Sequence, residues 1–176
     1  MWVALLRGIN VGGKHKLPMK ELVGLFAGLG CRDVQTYIQS GNVIFGASAT
    51  LAGKVPDLVA AGIRKRWGFD VPVITRTAGQ LVAAVKRNPF AKRAEPAHLG
   101  IAFLARKPSA AEIATLDPDR SPGDRFEVLG REIHLHTPNG MARTKLTNQY
   151  FDSRLSTVST ARNWRTVNKL IDLAEG

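Results

Sequence analysis

Residues that could bind or turn over an anion fall in a few short stretches. The first is Gly8-Ile9-Asn10-Val11-Gly12-Gly13-Lys14-His15, preceded by Arg7 and followed by Lys16. It fits G-x-x-x-x-G-K, the spacing of a loop whose backbone N–H groups cradle phosphates. A nucleotide-binding loop continues with Ser or Thr, whose hydroxyl reaches Mg²⁺, and runs straight into a helix. Here His15 takes that position and Lys16-Leu17-Pro18 intervene. No apolar strand ending in Asp supplies the second metal-binding element of such enzymes. The pattern excludes an NTPase and leaves an anion-binding loop, with Arg7, Asn10, Gly12, Gly13 and Lys14 as candidate ligand-binding residues.

The second stretch is Tyr37-Ile38-Gln39-Ser40-Gly41-Asn42. It reads as a hairpin tip that presents Ser40 and Asn42 as hydrogen-bond donors, although Gly, Ser and Asn are also what a turn needs for itself. The third runs from Thr160 to Leu170. Asn163 suits an N-cap, and Trp164, Val167, Leu170, Ile171 and Ala174 form one apolar stripe. Arg162, Arg165 and Lys169 can share another face. A helix N-terminus flanked by arginines attracts phosphate through free N–H groups and the helix dipole, which nominates Arg162 and Asn163. The fourth is Pro138 to Lys145, where Arg143 and Lys145 add charge and Thr144 is positioned to cap the helix that follows.

Other chemistries find little support. No G-x-S-x-G elbow surrounds Ser40, and no His–acid pair is nominated as its base. Residues 1–78 hold only four acids, Glu21, Asp33, Asp57 and Asp70, and none lies in a motif for acid–base work. His134 and His136 share one face of a strand without a third ligand, and read as exposed structural histidines rather than a metal site. Cys31 is the only cysteine, which excludes an internal disulfide and a cysteine-rich zinc site. No metal and no cofactor is called for.

The elements that must position these residues follow from periodicity and punctuation. Trp2–Ile9 reads as a strand and Met19–Leu29 as a helix entered at Pro18 and stopped by Gly30. Val34–Gln39 and Val43–Phe45 form a hairpin. Leu51–Trp67 is helical, its regular part expected from Pro56, and Val71–Thr77 is a strand. A linking helix, Gln80–Lys86, ends at Asn88-Pro89. The order then recurs: strand Leu99–Leu104; helix Ser109–Leu116, with Ser109 and Glu112 as a capping box; hairpin Phe126–Leu129 and Glu132–His136; helix Leu146–Leu155; strand Thr157–Thr160. A last helix runs from Trp164 to Leu173. The expected fold is α+β, two β-α-β-β-α-β ferredoxin-like halves in tandem plus a C-terminal helix. The halves are residues 1–78 and 97–176, joined by a helix and loop over 79–96.

Leu6-Arg7-Gly8-Ile9-Asn10-Val11-Gly12-Gly13, Tyr37 to Val43, and Thr160 to Leu170 together resemble the domain of unknown function 1697 family of bacteria, in the expected order over nearly the whole chain. Where that family shows Ser-Lys, this chain has Thr144-Lys145, which keeps the hydroxyl. The resemblance implies a small cytosolic α+β protein with two related halves. It implies no activity, cofactor or substrate.

At 176 residues the chain can bury a sizeable core without a disulfide or metal. The opening run Met1–Leu6 is too short for a signal peptide or a membrane span, so a cytoplasmic protein is expected. Net charge is +11, from 25 Lys+Arg against 14 Asp+Glu. Both halves share it: residues 1–78 carry ten cations and four acids, the remainder fifteen and ten. Such a balance favours nucleic acid or other phosphate-bearing partners and disfavours cationic ones. Aromatic residues are only 7%, and the aromatic strand motif of RNA-reading sheets is absent, which leaves backbone electrostatics. The leading expectation is an anionic ligand, nucleic acid or a phosphorylated molecule, held by the Gly-rich basic loop and the Arg-flanked helix. The alternative is an enzyme acting on a small anionic substrate in a pocket formed by the same motifs. A third is a scaffold whose motifs serve folding alone. A monomer is expected, since two similar halves already supply the pairing a dimer would.

Overall fold

In a computed structural model that describes residues 1–176, the chain runs β1 (Trp2–Leu6), α1 (Met19–Gly28), β2 (Arg32–Tyr37), β3 (Asn42–Gly46), α2 (Ala49–Trp67), β4 (Val73–Thr77), α3 (Ala78–Lys86), β5 (Leu99–Leu104), α4 (Ala110–Ile113), β6 (Arg125–Leu129), β7 (Glu132–His136), α5 (Asn148–Leu155), β8 (Ser159–Asn163) and α6 (Trp164–Glu175). It divides into two units, Met1–Val82 with Leu170–Gly176, and Ala83–Lys169. Each holds one four-stranded antiparallel sheet, ordered β2-β3-β1-β4 in the first and β6-β7-β5-β8 in the second. The expected α+β architecture of two tandem ferredoxin-like halves is present. No helix is long and apolar enough to cross a membrane.

In the first unit, alternation along the strands turns Ala4, Leu6, Val43 and Phe45 toward the helices, where Leu22 and Phe26 of α1 and Val55, Val59 and Ile63 of α2 close over them. Phe26 and Phe45 meet at 5.3 Å between ring centroids. Val3, Leu5, Ile44 and Arg76 on the other face are buried as well. This explains why β1 is an unbroken apolar run rather than an alternating one. The second unit repeats the plan: Ala102, Leu104, Ile133 and Leu135 pack under Leu116, Tyr150, Phe151 and Leu155.

Several boundaries differ from expectation for physical reasons. β1 ends at Leu6, not Ile9, because Arg7 N–H bonds the Pro72 carbonyl and Gly8 turns the chain at φ 76°. α2 starts at Ala49 rather than Pro56. The Ser48 hydroxyl caps it by accepting from Leu51 N–H, and the buried Ala52, Val55 and Val59 hold the turn around a proline that offers the Ala52 carbonyl no N–H. α4 stops at Ile113, because Thr115 and Leu116 N–H bond three residues back and Pro118 follows. The Ser109–Glu112 capping box is present. α5 begins at Asn148 and is capped by Thr147, not Thr144, whose hydroxyl accepts from Leu146 N–H instead. β8 covers Ser159–Asn163, so Arg162 belongs to a strand and not to the flank of the last helix.

The two units share one further detail. Arg76 and Arg162 are each the fourth of five residues in the last strand, opposite Val3 and Ile101 respectively. Each guanidinium donates to the carbonyl of the residue before it, Thr75 at 3.0 Å and Ala161 at 2.9 Å. Each strand then passes through a cap into a helix. Thr77 Oγ1 accepts from Gln80 N–H and Gln80 Oε1 from Thr77 N–H, while Asn163 Oδ1 accepts from Thr166 N–H. The helix after β4 and the one after β8 are therefore corresponding parts of one repeated strand–cap–helix unit.

Candidate functional site

In the first unit the chain between β1 and α1 folds back as a small irregular hairpin. Asn10 N–H bonds the His15 carbonyl at 3.1 Å, and Lys14 N–H bonds Val11 at 3.0 Å. Gly8, Asn10, Gly12, Gly13 and His15 all take positive φ. A Cβ at Gly12 or Gly13 would meet nothing within 4 Å, so these glycines are required by backbone conformation and not by crowding. Nδ1 of His15 lies 3.1 Å from the Gly8 carbonyl, and its ring stacks on Phe69 with centroids 4.5 Å apart.

The β2–β3 tip is fastened to this loop. Asn10 is the clip: its Nδ2 donates to the Leu17 and Gln39 carbonyls, both at 2.9 Å, and its Oδ1 accepts from Leu17 N–H at 2.8 Å. Leu6 N–H bonds the Gly41 carbonyl at 2.8 Å. Gly41, at φ 77°, sits so close that a Cβ there would stand 2.8 Å from Leu6 Cβ. Asn42 is fully buried and donates to Tyr37 O and Ser40 Oγ. The structure thus brings Arg7, Asn10, Gly12, Gly13, Lys14, Ser40 and Asn42 onto one end of the first sheet. Among them Asn10, Ser40 and Asn42 hold the loop and tip together by hydrogen bonds.

What this framework presents is charge. Residues 7–20 contain Arg7, Lys14, Lys16 and Lys20 and no acid. Lys14 and Lys16 are exposed and enter no ion pair, whereas Arg64 and Arg66 of the same unit are paired with Asp70 and Glu21. The first turn of α1 follows, entered through Pro18 with no side-chain cap on its N–H groups.

The other three candidates lie in the second unit. Lys145 is exposed, and its N–H bonds Ser121 Oγ at 3.1 Å. Asn163 caps α6 with its side chain. Arg162 is 9% exposed, and besides Ala161 its guanidinium reaches Thr160 Oγ1 at 2.8 Å. Burial pulls its pKa down to about 10, which leaves it charged at neutral pH.

The histidines depart from expectation. His134 is not exposed but fully buried, and neither ring nitrogen has a hydrogen-bond partner. Burial, reinforced by the nearby Arg87 cation, lowers its pKa to about 4, so the ring is neutral. His136, on the same strand face, is half-buried beside the Phe90 and His98 rings. Sequence reasoning also missed the surroundings of His136. Arg93, Arg125 and His136 line one cleft with Phe90, but Arg93 merely follows Lys92 and Arg125 sits alone between Asp124 and Phe126, so neither carries a spacing signal.

The model of a family described as "Protein of unknown function (DUF1697)" matches residues 1–134. The chain belongs to the DUF1697 family. The match includes the basic loop and the hairpin tip and ends inside β7, before Lys145, Arg162 and Asn163. No curated protein matches the DUF1697 chain. Among solved structures it is similar to the conserved bacterial protein SP0830 from Streptococcus pneumoniae, with 21% identity, 99% of this chain and 98% of that chain covered, and a TM-score of 0.73. At that identity the likeness shows a shared fold across both halves.

Proposed function

We propose that this protein is a monomeric, cytoplasmic binder of phosphate-bearing anions, with nucleic acid as the polyanionic form, and that the β1–α1 loop is its contact surface. One observation carries the reading: a loop locked by Asn10 holds Lys14 and Lys16 out without an opposing carboxylate. A preordered loop loses little entropy on binding, and unneutralised lysines release counterions from a phosphate backbone. The open N–H groups at the start of α1 lie at the end of the same loop and favour negative charge. Binding is better supported than turnover, because Ser40, the one aliphatic hydroxyl of the tip, is engaged with the Asn42 amide.

The test is fluorescence anisotropy of a labelled oligothymidine at low salt, repeated across a salt series, with inorganic phosphate as competitor. Affinity should fall steeply with salt, by about 0.7 in log–log slope per phosphate neutralised on a single strand. The double variant Lys14→Ala/Lys16→Ala should therefore flatten the slope by about 1.4. Absence of binding by both the oligonucleotide and phosphate at low salt, or an unchanged slope in the variant, overturns the reading.

A further inference from the structure

Strand β6 is an outer strand of the second sheet. Its pairing with β7 is unbroken from Arg125 opposite His136 to Leu129 opposite Glu132, around the two-residue turn Gly130-Arg131 with Gly130 at φ 66°. A two-residue hairpin closes on a hydrogen-bonded pair. Alternation then makes Arg125, Glu127 and Leu129 the residues that bond inward to β7. The N–H and C=O groups of Phe126 and Val128 point outward, as an unused edge.

Both faces flanking that edge are hollow. A cleft of about 430 Å³ runs beside the strand between Phe90, Ile113, Leu116, Pro118 and Phe126. A second of about 450 Å³ shares Phe90, Arg125 and Glu127 with it and adds Arg93 and His136. The first sets five apolar walls beside Asp124, Arg125 and Glu127. The second carries two arginines that enter no ion pair, opposed only by Glu127. Successive residues of an added strand point to opposite faces, so such a strand would set one class of side chain in each cleft. The corresponding outer strand of the first sheet, β2, is not built this way. Its register shifts between Arg32 and Gln35, with Asp33 at φ 50°, a bulge of the kind that blunts an edge.

We propose that β6 accepts an extended segment of a partner protein as a fifth strand, with apolar residues facing the Ile113–Leu116 cleft and alternate acidic residues facing the Arg93–Arg125 cleft. The acidic choice follows from charge complementarity with the two arginines, and the alternation from the pleat. This surface belongs to the second unit alone and does not depend on the β1–α1 loop.

The probe is a seven-residue peptide alternating leucine and aspartate, added to the full chain. Hydrogen exchange is followed by NMR at the Phe126 and Val128 amides. Exchange at both should slow at least tenfold on saturation. N-methylation of one alternating set of peptide amides should abolish that protection, while methylation of the other set should leave it. Arg93→Ala/Arg125→Ala should weaken the peptide at least fivefold with an unchanged circular dichroism spectrum. Equal protection by a peptide of the same composition with its leucines and aspartates segregated would sink the proposal. So would perturbation mapped away from β6, or protection that appears without peptide because two copies of the chain pair through β6, seen as a dimer in ultracentrifugation.

Discussion

The two units build the same sheet and then use their first connections differently. In the first unit a long basic loop separates β1 from the ten-residue α1. In the second, only Ala105 to Ser109 separates β5 from the four-residue α4. Of the two cations there, Lys107 is exposed and enters no ion pair, while Arg106 is engaged on several sides: Glu112 accepts at 3.0 and 2.6 Å, and the Leu155 and Ser156 carbonyls at 2.9 and 3.0 Å. Glu112 answers with a pKa held down to about 2, first by Arg106 and then by the Ser109 backbone. The repeated parts are those that bury surface: the strand order, the inward face and the arginine before the helix cap. The divergent parts are exposed. One half neutralises Arg106 to close a short turn and leaves only Lys107 open, and the other leaves Lys14 and Lys16 open on a longer loop. Function is best sought where the repeat is broken.

The comparison can be broken first at the paired arginines. If they are one structural device used twice, Arg76→Ala and Arg162→Ala should each destabilise the protein by about 3 kcal/mol in urea unfolding, since each strands hydrogen-bond acceptors in a buried site. A large loss from one and none from the other would show that only one half relies on it. The next contrast is His134, whose counterpart beside β1 is Ile44, as the pairs Ile101–His134 and Val3–Ile44 show. The folded pKa of His134, about 4, lies below its ordinary value, so the unfolded chain takes up the proton first. Stability is intact above about pH 6.5 and falls as the pH drops toward 4, by about 3 kcal/mol for this group. His134→Ile, which copies the first half, should remove that part of the acid loss, and urea midpoints across the pH range measure it. The smallest effect concerns the clip. Asn10→Ala should cost about 1–2 kcal/mol and speed hydrogen exchange at Lys14 and Leu17, leaving the second unit unchanged.

Much of this architecture was legible because its signals are local. Gly130 between two apolar runs marks a hairpin, Ser109 with Glu112 marks a helix start, and continuous runs such as Leu99–Leu104 mark buried strands. The sequence sets β8 too early because Ser159–Asn163 is mostly polar, and its strand character comes from pairing with β5. For the same reason the sequence sets Arg162 on the helix flank instead of in β8. The burial of His134 is a tertiary fact with no trace in spacing. At the candidate site the cations were legible as charge. The task of Asn10 was not, since its bonds to Leu17 and to Gln39 depend on where the tip folds back. The Arg93–Arg125 cleft was invisible, because residues distant in sequence meet there only through the sheet.

The β1–α1 loop draws its shape from glycines at positive φ and one asparagine, while its charge comes from exposed lysines that enter no ion pair. Contour and electrostatics are therefore independent variables there. Lysines could be gained, lost or reversed in sign over evolutionary time while the main chain kept its path, so one backbone mould could be recast for different guests without refolding.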